Sequence, residues 1–100
     1  MSRIRTMPVG AMLLPARLEV QYDRTFLIDL KSLESAAMQR MYRFVFEDFF
    51  QINQLKDLPE FQALEDSEIL YRFTIDHCLI SIEVTGQIIK FLRILPEPTI

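Results

Sequence analysis

Apolar positions run almost without interruption from residue 69 to residue 95, in the text ILYRFTIDHCLISIEVTGQIIKFLRIL, broken only at Asp76-His77 and Thr85-Gly86. Runs rich in Ile, Leu, Val, Phe and Tyr between turn residues predict strands, and two tight connections in succession predict an antiparallel meander of three. Upstream, residues 17–22 alternate, with Leu18, Val20 and Tyr22 on one side and Glu19 and Gln21 on the other. That is the pattern of a half-buried strand. Asp23 then caps a first helix in which Phe26, Leu27, Leu30 and Leu33 recur at helical spacing. A second helix is predicted over 35–50, capped by Ser35, with Met38, Met41, Tyr42, Val45 and Phe49 as its buried stripe. Phe44 falls outside that stripe, either as an ordinary lone surface residue or as part of a partner surface.

Residues 52–67 turn polar and acidic, and Pro59 interrupts any helix there. Residues 1–15 hold two prolines and a glycine and show no sustained period, so they are expected to form a flexible arm before a single domain over 16–100. The order strand, helix, helix, three-stranded meander defines an α+β fold. Its sheet is mostly antiparallel, and a helical hairpin packs on one face.

Composition narrows the function classes. Half of the 100 residues are hydrophobic, eight of them Phe, which suits a packed globular domain. The net charge of −3 argues against holding nucleic acid by bulk attraction, while leaving room for a local basic site. Cys78 is the one cysteine and has no internal disulfide partner, which fits a reducing compartment. No apolar run approaches the roughly 18 residues that span a bilayer. Arg3 and Arg5 precede MPVGAMLLPA, which is short and Pro-broken for a signal sequence. A cytoplasmic protein without a membrane partner is the expectation.

No phosphate-binding loop, dinucleotide fingerprint or zinc spacing is present, so no cofactor and no metal are expected. His77, the single histidine, is expected in a turn, and Cys78, in phase with Ile80, Ile82 and Val84, in the core. Adjacent residues of a strand point to opposite faces, which argues against a nucleophile–base pair between them. The carboxylates Glu60, Glu65, Asp66 and Glu68 lack the ladder spacing of a calcium loop and are expected to be solvated. Arg72 and Arg93 stand out because each interrupts an apolar strand. Such an arginine faces solvent, pairs with a carboxylate, or presents its guanidinium to an anion such as phosphate. Tyr71, Phe73 and Ile75 share one face, which leaves Arg72 and Thr74 on the helix-free face. There Arg72 either binds an anion or pairs with Glu83 on the neighbouring strand.

The element order, together with DLKSL, RFVFEDF, DLPEFQALED, YRFTI and IIKFLRIL, resembles the RelE/ParE superfamily of bacterial toxins over residues 18–95. The resemblance implies the toxin of a type II toxin–antitoxin pair, held inactive by a cognate antitoxin. In the RelE branch it implies cleavage of mRNA on the ribosome, and in the ParE branch poisoning of DNA gyrase. It also implies that Arg72 and Arg93 are the catalytic candidates. The chain departs from the family where basic residues are usual. Ala63-Leu64-Glu65-Asp66 stands in place of a Lys-Leu-x-Gly element, Cys78-Leu79 in place of a second arginine, and Pro96-Glu97-Pro98-Thr99-Ile100 in place of a basic tail. Stabilising a developing phosphorane needs several cations or acids around one phosphate, and losing one such donor costs about 10²–10³ in rate. Two further functions therefore stand beside the toxin: a catalytically inactive protein-binding module on the toxin fold, and a small α+β subunit of a larger assembly.

Overall fold

The structure, a computed structural model, describes residues 19–96. The predicted arm over 1–15 and the tail after Pro96 lie outside the described residues. Strand β1 (Glu19–Tyr22) leads into α1 (Arg24–Lys31), whose N-cap is Asp23, accepting from the Thr25 N–H at 3.0 Å. Helix α2 (Ser35–Phe46) follows, then short 3-10 turns at Asp48–Gln51 and Leu55–Asp57. A two-residue strand β2 (Gln62–Ala63) precedes the meander β3 (Leu70–Ile75), β4 (Cys78–Thr85) and β5 (Ile88–Pro96). The sheet order is β1-β5-β4-β3-β2, antiparallel throughout except for the parallel pair β1–β5. The parallel pairing follows from connectivity, because the helical hairpin carries the chain back across one face before the meander begins.

The inner face of the sheet and the hairpin share one core, built on Phe26, Met41, Val45, Phe49, Tyr71, Phe73, Ile80, Ile82, Ile89, Phe91 and Ile94. Aromatic rings make its centre: Phe91 stacks with Tyr22 at 5.3 Å and meets Phe49 edge-on at 5.1 Å. The Tyr22 hydroxyl donates to the Val45 carbonyl at 2.9 Å, which satisfies its one polar atom and ties β1 to α2.

Several expectations are corrected. The second helix ends at Phe46, and Asp48, a residue that favours turn and cap positions over helix interiors, opens a tighter 3-10 turn that still buries Phe49. Glu34, not Ser35, occupies the α2 N-cap, with no side-chain capping bond. Tyr42 is 53% exposed, its ring tilted against Phe46 rather than buried. Phe44, expected outside the stripe, packs on Phe49 and Phe73, because a wide inner sheet face reaches a broader arc of α2 than one stripe. The polar stretch 52–67 buries Leu55 and Leu58 in the core and adds β2 to the sheet. The last hairpin turns at Gly86-Gln87, since Thr85 and Ile88 pair, and Gly86 takes φ 58. The Asp76-His77 turn was correctly placed; φ values of 55 and 64 make it the left-handed two-residue connection that matches strand twist.

Candidate functional site

Alternation sends half of each strand away from the helices, and these residues form an open face. Cross-strand register arranges them in rows. Gln62, Arg72, Ser81 and Arg93 form one row across β2, β3, β4 and β5. Thr74, Leu79 and Leu95 form the next, toward the Asp76-His77 turn. Leu70, Glu83, Lys90 and Gln21 form the row on the other side. The two sequence candidates, Arg72 and Arg93, are thus brought into one row with Ser81 between them.

Their guanidinium groups are held differently. Gln62, with its amide oxygen turned toward Arg72, accepts from Nε at 2.7 Å and from Nη2. Ser81, not Glu83, lies opposite Arg72, and Glu83 lies opposite Leu70 and Lys90. Register therefore puts Glu83 one row away from the partner position expected of it. Arg93 is engaged by a carboxylate on α1: its Nε donates to Asp29 Oδ2 at 2.7 Å and its Nη2 to Oδ1 at 3.3 Å. Asp29 Oδ2 also accepts from the Ile94 backbone N–H at 2.9 Å. Burial alone would raise the Asp29 pKa, but the Arg93 hydrogen bond and the Ile94 amide outweigh it and hold the carboxyl below its ordinary range. The same bond raises Arg93 above its ordinary value.

The geometry at Arg93 originates in a bulge. Ile82 pairs with Phe91 while Ser81 pairs with Arg93, so Leu92 is an extra residue on β5. Strict alternation from Ile89 and Phe91 would drive Arg93 into the core. The bulge lets Ile94 take that buried position and leaves Arg93 outside. Since β1 ends at Tyr22, the β5 edge beyond Phe91 lies open to α1, and Asp29 meets it there.

The remaining ionic contacts brace the sheet margins. Arg40 on α2 pairs with Asp76 at 2.9 Å, and Lys90 approaches Asp23 at 3.8 Å. The Thr25 amide bond, with help from Lys90, lowers the Asp23 pKa. His77 lies exposed in the hairpin turn, and Cys78 is buried beside it in the core. Among the described residues no group of three His, Cys, Asp or Glu side chains could hold a metal ion, and no helix is long and apolar enough to cross a membrane. The arrangement can grip an anion through Arg72, with Ser81 as a neutral neighbour. Asp29, Gln62 and Ser81 were missed in the sequence. The signal for Asp29 was the break of alternation at Arg93, which demands a bulge and a polar partner.

No protein-family model matches the chain, and no curated protein matches it in sequence. Solved structures do match in fold. The RelB–RelE antitoxin–toxin complex from Methanococcus jannaschii aligns at 26% identity and a TM-score of 0.62, covering 76% of this chain and 88% of that one. The archaeal RelE–RelB complex from Pyrococcus horikoshii aligns at 20% identity and 0.59, covering 83% and 98%. A chromosomal ParDE toxin–antitoxin system from P. aeruginosa aligns at 13% identity and 0.54, covering 81% and 97%. These structures belong to toxin–antitoxin systems. The present chain has the RelE/ParE-like toxin fold, with the α+β architecture its sequence predicts.

Proposed function

We propose that this protein is the toxin-like component of a type II toxin–antitoxin module, bound in the cell by a cognate antitoxin segment. The observation that carries this reading is the likeness to the M. jannaschii RelB–RelE complex, which aligns over most of both chains at 26% identity. If the protein is active, the inherited action is growth inhibition through ribosome-dependent mRNA cleavage or through gyrase, in the cytoplasm. Arg72 is the residue best placed to act on a phosphate. It stands half-buried on the open face, its guanidinium oriented by Gln62.

A second reading has a specific observation in its favour: the fold is retained as a protein-binding module without nuclease chemistry. Arg93 is neutralised by Asp29, and the row beside it carries the apolar pair Leu79 and Leu95, with Leu95 45% exposed. Tightly controlled expression in a bacterial host separates the two readings. Growth arrest abolished by Arg72→Ala, with new message ends in primer extension, supports the nuclease. Arrest without new ends points to gyrase or another target. Normal growth at confirmed soluble expression rejects the active toxin and leaves the binding module.

A further inference from the structure

Arg93 is bonded on two nitrogens by one carboxylate, in the fork geometry by which arginine grips phosphate. We infer that Asp29 is a built-in counter-ion for the open face, a positioning residue that holds Arg93 round the edge of β5 so that the face takes a phosphodiester strongly only when this pair is opened. The inference rests on the reading of the open face as a phosphate site, and its binding test is read separately from growth arrest.

Three observations converge. First, register places Arg72, Ser81 and Arg93 side by side on adjacent strands. At a strand spacing of about 4.8 Å, the two arginine backbones stand about 10 Å apart, with the Ser81 hydroxyl as a donor between them. Two long side chains can close that gap on a single phosphate. Second, the bulge at Leu92 gives Arg93 its outward position, and bulges re-aim side chains in this way. Third, Asp29 is anchored twice, by Arg93 and by the Ile94 amide, with its side chain only 15% exposed, whereas the Arg93 side chain is 46% exposed. The carboxylate is therefore the fixed member of the pair and the guanidinium the member able to swing. An anion competing for Arg93 must displace a carboxylate that is already desolvated and hydrogen-bonded, which weakens its binding by the strength of that contact.

The test uses an uncleavable 2′-O-methyl oligoribonucleotide, titrated into the wild type, Asp29→Asn, and the double variant Asp29→Asn with Arg93→Ala. Asparagine keeps the shape and an acceptor oxygen for the Ile94 N–H while removing the charge. The expected result is binding about tenfold tighter or more in Asp29→Asn. The slope of log affinity against log salt should also steepen by about 0.7, the increment for one added cation on a single strand. Both changes should vanish in the double variant. Unchanged affinity in Asp29→Asn overturns the inference, as does a gain that survives in the double variant. Should Asp29→Asn fail to fold, Asp29→Ser takes its place, alone and with Arg93→Ala. A gain that the second substitution abolishes supports the inference, and unchanged affinity overturns it.

Discussion

Deleting Leu92 from the interior of β5 should leave the protein folded, whereas deleting Ile82 from the facing strand should not. A single deletion in a strand normally flips every later side chain to the other face. Leu92, however, is the residue without a partner between the pairs Ile82–Phe91 and Ser81–Arg93. Its removal makes β5 regular, with Phe91 and Ile94 still inward and Arg93 still outward. The losses are the half-buried Leu92 side chain, about 1 kcal/mol, and the bond from the Ile94 amide to the Asp29 carboxylate, about 1.5–3 kcal/mol, while the ion pair with solvated Arg93 adds little. A closed ladder returns about 1 kcal/mol. The net cost is about 1–3 kcal/mol, against a stability of about 5–15 kcal/mol for a domain. Deleting Ile82 instead removes one core side chain, turns Cys78 and Ile80 outward and forces Ser81 inward, a cost above about 5 kcal/mol. Urea unfolding followed by circular dichroism compares the three proteins. The Leu92 deletion should keep the wild-type m-value and lower the midpoint by about 1 M. A Leu92 deletion that is unfolded in water, or an Ile82 deletion with a wild-type m-value, would refute this account of the strand.

Leu55→Ala should destabilise by about 2–5 kcal/mol in the same assay, because Leu55 is fully buried although its surroundings in sequence are polar; a loss below about 0.5 kcal/mol would make the 52–67 segment a mere surface loop. Glu65→Gly should stabilise by about 1 kcal/mol, since Glu65 is exposed at φ 43, and calorimetry should show a melting temperature higher by about 4–8 °C. Asp29 has a lowered folded-state pKa, so its stabilising contribution is fully present above the ordinary carboxylate value and is lost as pH falls through the folded value. The stability difference between wild type and Asp29→Asn should therefore be constant near neutrality and shrink below about pH 4; a constant difference down to pH 2 would contradict the linkage. Tyr22→Phe should cost about 0.5–1.5 kcal/mol through the lost bond to the Val45 carbonyl, with the ring packing intact; no measurable change in the urea midpoint would show that bond to be dispensable.

The meander was legible because its apolar runs and turn residues are local signals, and Asp23 as a cap was legible for the same reason. The parallel pairing of β1 with β5 was not, because it joins residues far apart in the chain and nothing in a four-residue strand names its partner. Leu55 and Leu58 were hidden by charged neighbours, since burial in a loop has no period to detect. At the site, alternation correctly placed Arg72 on the helix-free face. It could not place Arg93 without the bulge, and it offered no route to Asp29, which reaches β5 only through the docking of α1.

The two faces of this sheet answer to different demands, so the fold depends on one face and leaves the other free for chemistry. Inward positions such as Tyr71, Phe73, Ile80, Ile82, Ile89 and Phe91 carry the burial energy, and any substitution there is felt through close packing. Outward positions such as Leu79, Ser81 and Arg93 contribute little to that core and can vary without threatening it. Leu79 lies beside Leu95 on the open face, where an apolar pair gains a little contact area. The bulge couples the two faces: it keeps Ile94 inside and Arg93 outside at once. Packing of Ile94 in the core therefore fixes the outward position of Arg93 whatever the open face does. The pair with Asp29 gives that arginine a structural use that does not depend on any substrate.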